Sequence, residues 1–360
     1  MNIHNQQHYI PCLRWKQGEY QALQQLSPGV RNLIKPLIDV AEIGFDFEEQ
    51  QDSKSIDEHL QKFAIRVRKK WGITDCFVDL HLIDSSQRMA DGNHPVNFVF
   101  DDLRSKGVQA VPVTRINQDS QWQEAIQKAV DQDGHGFCFR ISLEESLNPT
   151  LGTVMTDLLS QYGRKVEQCD LIIDEGAPNY EPIDGFAGFL ETMIKKLPYL
   201  NAWRTFGIIG TSLPVLSTLG IGTFIIPRYE WQAYKELILR LRSSAIRIPT
   251  FGDYAINRPE VSIADQRFLK SRANIRYSTN NEWYILRGQN IRDFSECKDF
   301  CSTIVSSKFY NGSGFSSGDK YIIDCAQGNA KTGNHTTWRW VGTNHHLTLV
   351  AQDVAKLAVS

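Results

Sequence analysis

Short apolar segments rich in β-branched residues recur along the first two thirds of the chain, and most of them end on a charged or hydroxyl residue. Eight such segments are found: Tyr9–Arg14, Lys35–Asp39, Cys76–Asp79, Ala110–Arg115, Gly136–Arg140, Asp170–Asp174, Thr205–Ser212 and Ala245–Asp253. Apolar residues at helical spacing fill most of the stretches between them, as in Asp119–Val130 and Trp231–Arg242. This alternation predicts parallel strands that are joined by right-handed helical crossovers.

Eight strands that are each covered by a helix close most simply into a barrel. We therefore predict an α/β fold, with a (β/α)8 barrel of the TIM type over residues 1–254. An open doubly wound sheet is the alternative. However, the first strand is not followed by the GxGxxG turn of a dinucleotide-binding fold.

The pattern changes after Asp253, and residues 255–360 are predicted to form an α+β extension that packs on the barrel mouth. Two β-rich runs, 272–277 and 283–287, are separated by turn-forming residues and predict a hairpin. A helix is predicted over 294–309, followed by a loop over 311–319 that is rich in glycine and serine.

The last part of the extension contains two tryptophans, Trp338 and Trp340, and two adjacent histidines, His345 and His346. We interpret these residues as strand residues. Neighbours on a strand point to opposite faces, so only one of the two histidines is expected to face the barrel mouth. The sequence does not decide which one. A short amphipathic helix is predicted to follow.

Composition excludes several classes of protein. The chain has 360 residues, of which 41% are hydrophobic and 22% charged, as in an ordinary globular protein. No run approaches the roughly 18 apolar residues of a membrane span, and the amino terminus lacks the pattern of a signal peptide, so we expect a cytoplasmic protein that is not membrane-embedded. A net charge of −2 supplies no general attraction to nucleic acid, and no nucleic-acid partner is predicted.

Seven cysteines are present, and the first four lie in or beside apolar runs, where cysteine usually serves as a small core residue. Cys297, Cys301 and Cys325 were considered as a metal site, but the CxxC pairs of zinc modules are absent. Buried free thiols are the preferred interpretation, and no metal ligand is predicted.

Polar residues follow most of the predicted strands, at the end where barrel enzymes form their active sites. They are Lys16, Glu19, Asp39, Glu42, Asp79, His81, Arg115, Arg140, Asp174, Glu175, Ser212, Arg228, Glu230, Asp253 and Tyr254. The candidate catalytic residues are Asp79, Asp174 and Glu19 from this set, together with His345. The candidate ligand- or anion-binding residues are Lys16, Arg115, Arg140, Arg228, Ser212 and Asp253.

These residues permit two interpretations. In the catalytic one, Arg115, Arg140 and Arg228 bind a phosphate-containing ligand, while the aspartates hold Mg²⁺ or act as acid and base. In the structural one, the same charges neutralise each other and close the mouth. We prefer the structural interpretation, because no nucleophile motif or metal-ligand spacing singles out a reaction. No cofactor is predicted, and Mg²⁺ enters only under the catalytic interpretation.

Five segments together resemble the Beta protein family. They are Tyr9–Leu23 (YIPCLRWKQGEYQAL), Ile34–Asp39 (IKPLID), Arg228–Trp231 (RYEW), Phe251–Tyr254 (FGDY) and Asn344–His346 (NHH). The family is named after a protein of a coliphage satellite that is encoded beside a killer gene called gop. The resemblance spans nearly the whole chain. It implies a component of a phage-encoded anti-phage defence or toxin–antitoxin locus that restrains a partner killer protein, and it transfers no catalytic residue.

Three functions therefore remain open. The first is an antitoxin or immunity protein in which the barrel serves as a scaffold for a protein partner. The second is a phosphoester- or nucleotide-processing enzyme with its site at the barrel mouth. The third is a sensor whose mouth binds a phage-derived ligand.

Overall fold

The computed structural model describes residues 8–46, 51–260 and 272–359. Its strands are β1 (Ile10–Arg14), β2 (Leu37–Asp39), β3 (Phe45–Asp46), β4 (Gln51–Asp52), β5 (Cys76–Asp79), β6 (Ala110–Thr114), β7 (Cys138–Ser142), β8 (Asp170–Gly176), β9 (Thr205–Gly210), β10 (Gly222–Pro227), β11 (Thr250–Asp253), β12 (Arg272–Ser278) and β13 (Glu282–Ile291). Its helices are α1 (Gln17–Gln24), α2 (Pro28–Arg31), α3 (Ile56–Leu60), α4 (Phe63–Lys70), α5 (Pro95–Ser105), α6 (Ser120–Asp133), α7 (Leu151–Gln161), α8 (Ile183–Ile194), α9 (Tyr229–Ser243), α10 (Cys297–Val305), α11 (Ser317–Gln327) and α12 (His335–Val359).

Eight parallel strands close into a barrel in the order β1-β11-β9-β8-β7-β6-β5-β2. Each contains part of one of the eight predicted apolar segments, so the predicted TIM-type α/β barrel is confirmed. Side chains fill the interior, among them Phe77, Val111, Ile172 and Ile209, which makes the barrel a packed core and not a channel. Gly252 permits the close approach of β11 to its neighbours, because a Cβ there would lie 2.5 Å from the carbonyl oxygen of Ile10.

The outer helices form where apolar stripes and capping residues coincide, as α6 illustrates. Asp119 caps the helix by accepting a hydrogen bond from the Trp122 backbone, which typically stabilises a helix by about 1 kcal/mol. The buried residues Trp122, Ala125, Ile126, Ala129 and Val130 follow the three- and four-residue spacing of one helix face. Gly134 ends the helix in the left-handed conformation, with φ at 67°.

The extension contains an antiparallel sheet in the order β10-β13-β12, with helices α10 and α11 packed beside it. The predicted hairpin corresponds to β12 and β13. Strand β10, which lies in the chain between β9 and α9, was not predicted. It brings a segment of the barrel sequence into the sheet of the extension.

Helix α12 shows that the strand interpretation of Trp338, Trp340, His345 and His346 was wrong, since all four lie on this one helix. The apolar pattern of the helix is hidden in the sequence because Thr343, Asn344, His345 and His346 are polar and yet buried. The helix packs against α1, and its second half joins the main core through Leu347, Val350 and Val354. The two helices approach so closely that a Cβ on Gly18 would lie 2.7 Å from the Arg339 side chain.

The predicted division of the chain at residue 254 stays a prediction. Residues 1–7, 261–271 and 360, which belong to the two predicted units, lie outside the described residues.

All seven cysteines are described, and each is a buried free thiol. None of the helices in the described ranges has the length and apolar character that crossing a bilayer requires.

Candidate functional site

Arg140 lies at the centre of the barrel mouth, on β7, and its side chain is only 2% exposed. Its Nη1 donates to Asp39 Oδ1 at 2.7 Å and to Asp79 Oδ2 at 3.0 Å. Its Nη2 donates to Asp174 Oδ2 at 2.7 Å. One guanidinium group therefore binds carboxylates from three strands, because its donors point in several fixed directions.

Strand register brings these groups together. Asp39 of β2 lies beside Asp79 of β5 at the last position of both strands. Tyr254, which directly follows β11, and Cys12, in the middle of β1, complete the network. The Tyr254 hydroxyl donates to Asp174 Oδ1 at 2.6 Å, and the Cys12 thiol donates to Asp39 Oδ2 at 3.2 Å. We call Cys12, Asp39, Asp79, Arg140, Asp174 and Tyr254 the mouth network.

Arg115 and His81 lie at the solvent side of the mouth network, and both side chains are partly exposed. Arg115 Nη2 donates to Asp79 Oδ2 at 3.0 Å. His81 Nδ1 lies 3.1 Å from the same oxygen, although this close approach is not an aligned hydrogen bond. Three carboxylates thus face two guanidinium groups and one imidazole, so the charges of the mouth are nearly balanced by its own residues.

The electrostatics keep two carboxylates of the mouth network, those of Asp79 and Asp174, ionised. Burial alone would raise the pKa of Asp79, but His81, Arg115 and Arg140 hold it well below its usual range. Burial likewise opposes ionisation of Asp174, and the Arg140 charge and the Tyr254 hydrogen bond outweigh it, so the pKa of Asp174 is lowered. Both groups carry no proton near neutral pH, and neither is poised to act as a general acid.

Asp39, Asp79 and His81 offer ligand atoms that lie within 4.8 Å of one another, which is the spacing of a cation site. The same carboxylate oxygens, however, accept hydrogen bonds from Arg140 and Arg115. A divalent cation would have to compete with two guanidinium charges for them. The donor set therefore fits Mg²⁺ poorly, and we derive no chemistry from such an ion.

A second cluster fastens α12 to the barrel at Asp253, the last residue of β11. His346 Nε2 lies 2.8 Å from Asp253 Oδ2, and its Nδ1 lies 3.0 Å from the Ser278 hydroxyl. The Tyr9 hydroxyl donates to the other oxygen of Asp253. Burial lowers the pKa of His346 even though Asp253 opposes the shift, so the imidazole is neutral at physiological pH.

His345, the histidine chosen as a candidate catalytic residue, lies inside the extension instead. Its Nδ1 lies 2.8 Å from Asp319 Oδ2, and its ring stacks on Tyr277 with centroids 3.8 Å apart. The two histidines are adjacent on a helix and point about 100° apart, so they reach different partners. His346, not His345, contacts a barrel strand end. The double-histidine motif was a signal for it, but the strand interpretation gave no means of choosing.

Arg228 lies apart from Arg115 and Arg140, contrary to the predicted three-arginine cluster. Its Nε donates to Glu230 Oε1 at 3.2 Å, and its guanidinium lies between the rings of Trp231 and Trp283. The Ser212 hydroxyl donates to the other oxygen of Glu230. Glu230 thus joins Arg228 and Ser212, while Nη2 of the buried Arg228 has no hydrogen-bond partner among the described residues.

The two candidate residues that follow β1 lie away from the mouth network. Lys16 pairs with Glu42, with Nζ and Oε1 2.6 Å apart. Glu19 is buried and accepts a hydrogen bond from Asn257 at 2.5 Å. Burial raises the pKa of Glu19 to about 7, although Arg339, Arg14 and Lys16 oppose the shift.

Among the residues that matter to the mouth, Asp39, His81 and Tyr254 were recognised at strand ends but were left out of the candidate set. Their position after a strand was the same signal that selected Asp79 and Asp174. Nothing in the sequence distinguishes the residues that meet Arg140 from those that do not, because the choice depends on register around the barrel.

Comparison with known proteins identifies one family. The family model described as Beta protein matches residues 9–352. Among solved structures, the chain is similar to triosephosphate isomerase from Bartonella henselae, with 12% identity and a TM-score of 0.33, over 68% of this chain and 90% of that one. No curated protein matches. The barrel assignment itself rests on the strand pairing of this chain.

Proposed function

This chain belongs to the Beta protein family, and we propose that it is a cytoplasmic, protein-binding scaffold that restrains a partner killer protein in a phage-encoded anti-phage defence or toxin–antitoxin locus. The match to the family model shows the family, and the restraining role is our inference from that membership. In this proposal the barrel contributes a rigid surface and carries out no reaction.

The observation that carries the proposal is the mutual bonding of the mouth residues. An active site usually leaves a nucleophile, an acid or a base free to meet the substrate. Here Arg140 is occupied by three carboxylates, Ser212 is bonded to Glu230, and His346 is bonded to Asp253 and Ser278. This arrangement favours a structural role for the charged mouth.

A surface suited to a protein partner lies on β10, the edge strand of the extension sheet. Phe224 and Ile226 pack inward, whereas Ile225 points outward and is 60% exposed. Val215 and Ile221 are exposed beside it. Exposed apolar edge strands are uncommon in proteins that act alone, because they pair readily with other chains. We call this strand with Val215 and Ile221 the β10 surface.

The test is co-expression of the chain with the neighbouring killer protein, combined with co-purification of the two. The wild type should relieve killing and retain the partner on an affinity column. Ile225→Glu places a charge on the β10 surface and should abolish both effects, while the protein keeps its thermal stability. The matched control is Leu239→Glu, because Leu239 is 62% exposed on α9 and outside that surface. If the wild type fails to relieve killing, the proposal is wrong.

A phosphoester- or nucleotide-processing enzyme is the second candidate, and one observation favours it. Arg115 and His81 are 29% and 23% exposed, so a phosphate-containing ligand can approach them from solvent. In this case Asp174→Asn should abolish function in a protein that is still folded. A sensor for a phage-derived ligand would use the same exposed groups, and a thermal-shift screen with nucleotides tests it.

A further inference from the structure

A cavity of about 650 Å³ lies at the end of the barrel opposite to the mouth. Its lining residues include Lys35, Asp75, Gln109 and Arg204, each of which directly precedes a barrel strand or lies within two residues of its start. The strands are parallel, so all these positions lie at the same end. We call this space the basal cavity and propose that it binds a small organic anion carrying phosphate or carboxylate groups.

The size of the basal cavity suits a small molecule, since ligand pockets usually measure about 300–1,000 Å³. Its wall is partly apolar, through Ile10, Ile34 and Phe206. An apolar wall beside cationic groups favours an organic body that bears an anionic group over a bare inorganic ion.

The excess of positive charge among the lining residues is the main support for an anionic ligand. Four cationic side chains, those of Arg31, Lys35, Arg204 and Arg247, line the cavity together with one carboxylate, that of Asp75. Only Arg204 forms an ion pair among the described residues, with Asp170. An oxyanion in the cavity would meet several positive charges that the protein itself leaves without a counter-charge.

Two of these arginines are held in place by backbone carbonyl groups. Arg247 Nη1 donates to the carbonyl oxygens of Leu200 at 2.9 Å and Trp203 at 2.7 Å. Arg31 Nη2 donates to the carbonyl oxygen of Leu23 at 2.8 Å, and its guanidinium lies over the ring of Trp71. Carbonyl partners fix the position of a guanidinium group but leave its net charge in place. Both groups are therefore preorganised for an anion.

Lys35 is the residue that points toward the barrel interior. Its Nζ lies 4.2 Å from the centroid of the ring of Phe77, which is buried in the barrel interior. No carboxylate lies within ion-pair distance of this ammonium group in the described ranges of the chain. We infer that Lys35 provides the principal charge that a bound anion contacts.

The basal cavity is separate from the mouth, where barrel enzymes carry out their chemistry. The proposal therefore does not depend on the scaffold function, and either can fail without the other. A ligand bound at the basal end would contact residues that precede several strands. It should stabilise the folded barrel in proportion to its concentration.

The test uses isothermal titration calorimetry and thermal shift on the full chain with four probes: adenosine monophosphate, inorganic phosphate, citrate and, as the neutral comparison, adenosine. At least one of the two organic anions should bind saturably. Comparison of the phosphate probes with citrate distinguishes a phosphate-containing ligand from a carboxylate-containing one. Adenosine should bind at least about tenfold more weakly than adenosine monophosphate if the latter is the ligand, because it lacks the charge-assisted contacts.

Lys35→Met keeps the length and apolar packing of the side chain and should weaken binding by about tenfold or more. Gln109→Glu adds a negative charge at an exposed position that lines the cavity, and it should weaken binding as well. Lys308→Met is the matched control, since Lys308 is an exposed lysine of the extension. The proposal is overturned if neither organic anion binds saturably, whether or not inorganic phosphate binds. It is also overturned if both cavity variants bind the organic anion as tightly as the wild type does.

Discussion

Replacement of Arg140 by methionine should destabilise the protein strongly, because it would leave the carboxylates of Asp39, Asp79 and Asp174 buried without their shared cation. Methionine fills much of the same volume, so the loss is chiefly electrostatic. Removing one partner of a buried ion pair typically costs about 3–5 kcal/mol of the free energy of unfolding. We expect a loss in this range for Arg140→Met near neutral pH.

The loss should depend on pH in a defined direction. In the wild type the pKa values of Asp79 and Asp174 are lowered, so the stability that these groups contribute is present above their unfolded pKa and is lost as the pH falls through the folded values. Without Arg140, Asp174 loses the charge that opposes its burial most strongly, so its pKa rises and its carboxyl group takes up a proton in more weakly acidic solution, whereas Asp79 keeps His81 and Arg115. The loss of free energy of unfolding caused by Arg140→Met should therefore be smaller at about pH 5 than at about pH 7.5.

Urea denaturation of both proteins at the two pH values measures these effects. Arg115→Met is the control, because Arg115 contacts the same Asp79 oxygen but is 29% exposed, and it should cost about 1 kcal/mol or less. A deficit for Arg140→Met below about 1 kcal/mol, or one that does not shrink in acid, would refute the mouth network as a stabilising unit.

Two further changes test other clusters. Burial raises the pKa of Glu19 to about 7 from 4.5, so the folded state binds a proton more tightly and the stability from this group falls as the pH rises between these values. The free energy of unfolding of Glu19→Gln should accordingly exceed that of the wild type by up to about 3 kcal/mol at alkaline pH and by little in acid. Urea denaturation across pH measures this difference. An equal effect at both pH values would contradict this. His346→Ala removes two buried hydrogen bonds and leaves Asp253 with fewer partners, so the free energy of unfolding should fall by about 2–4 kcal/mol. A change within about 0.5 kcal/mol would show that His346 does not fasten α12 to the barrel.

The barrel was predictable because its strands are buried on both faces and read as isolated apolar runs, as in Asp170–Asp174 and Thr205–Ser212. Strand β10 was missed because it belongs to a different sheet and lies between two barrel elements. Helix α12 was missed at its centre because four consecutive buried polar residues, Thr343 to His346, interrupt its apolar pattern. Burial of those residues depends on partners such as Asp319 and Asp253, which are distant in sequence.

The candidate site was predictable only as a set of strand-end residues. Asp39 and Asp79 pair in register, whereas Asp174 pairs with Ser142, two residues beyond Arg140. The four groups meet because the long Arg140 side chain reaches across the mouth, and its bond to Asp39 joins residues more than a hundred positions apart in sequence. Arg228 satisfied the same sequence criterion and yet binds Glu230. The basal cavity had no sequence signal, since its lining comes from short segments at the starts of separate strands.

The most direct test of the scaffold proposal is the effect of Asp174→Asn on relief of killing. Asp174 accepts hydrogen bonds from Arg140 and Tyr254, and asparagine keeps its shape and one acceptor oxygen. Co-expression with the killer protein should show relief equal to that of the wild type, provided that circular dichroism and thermal unfolding confirm a folded variant. Loss of relief by a folded Asp174→Asn protein would contradict the scaffold proposal and assign chemistry to the mouth.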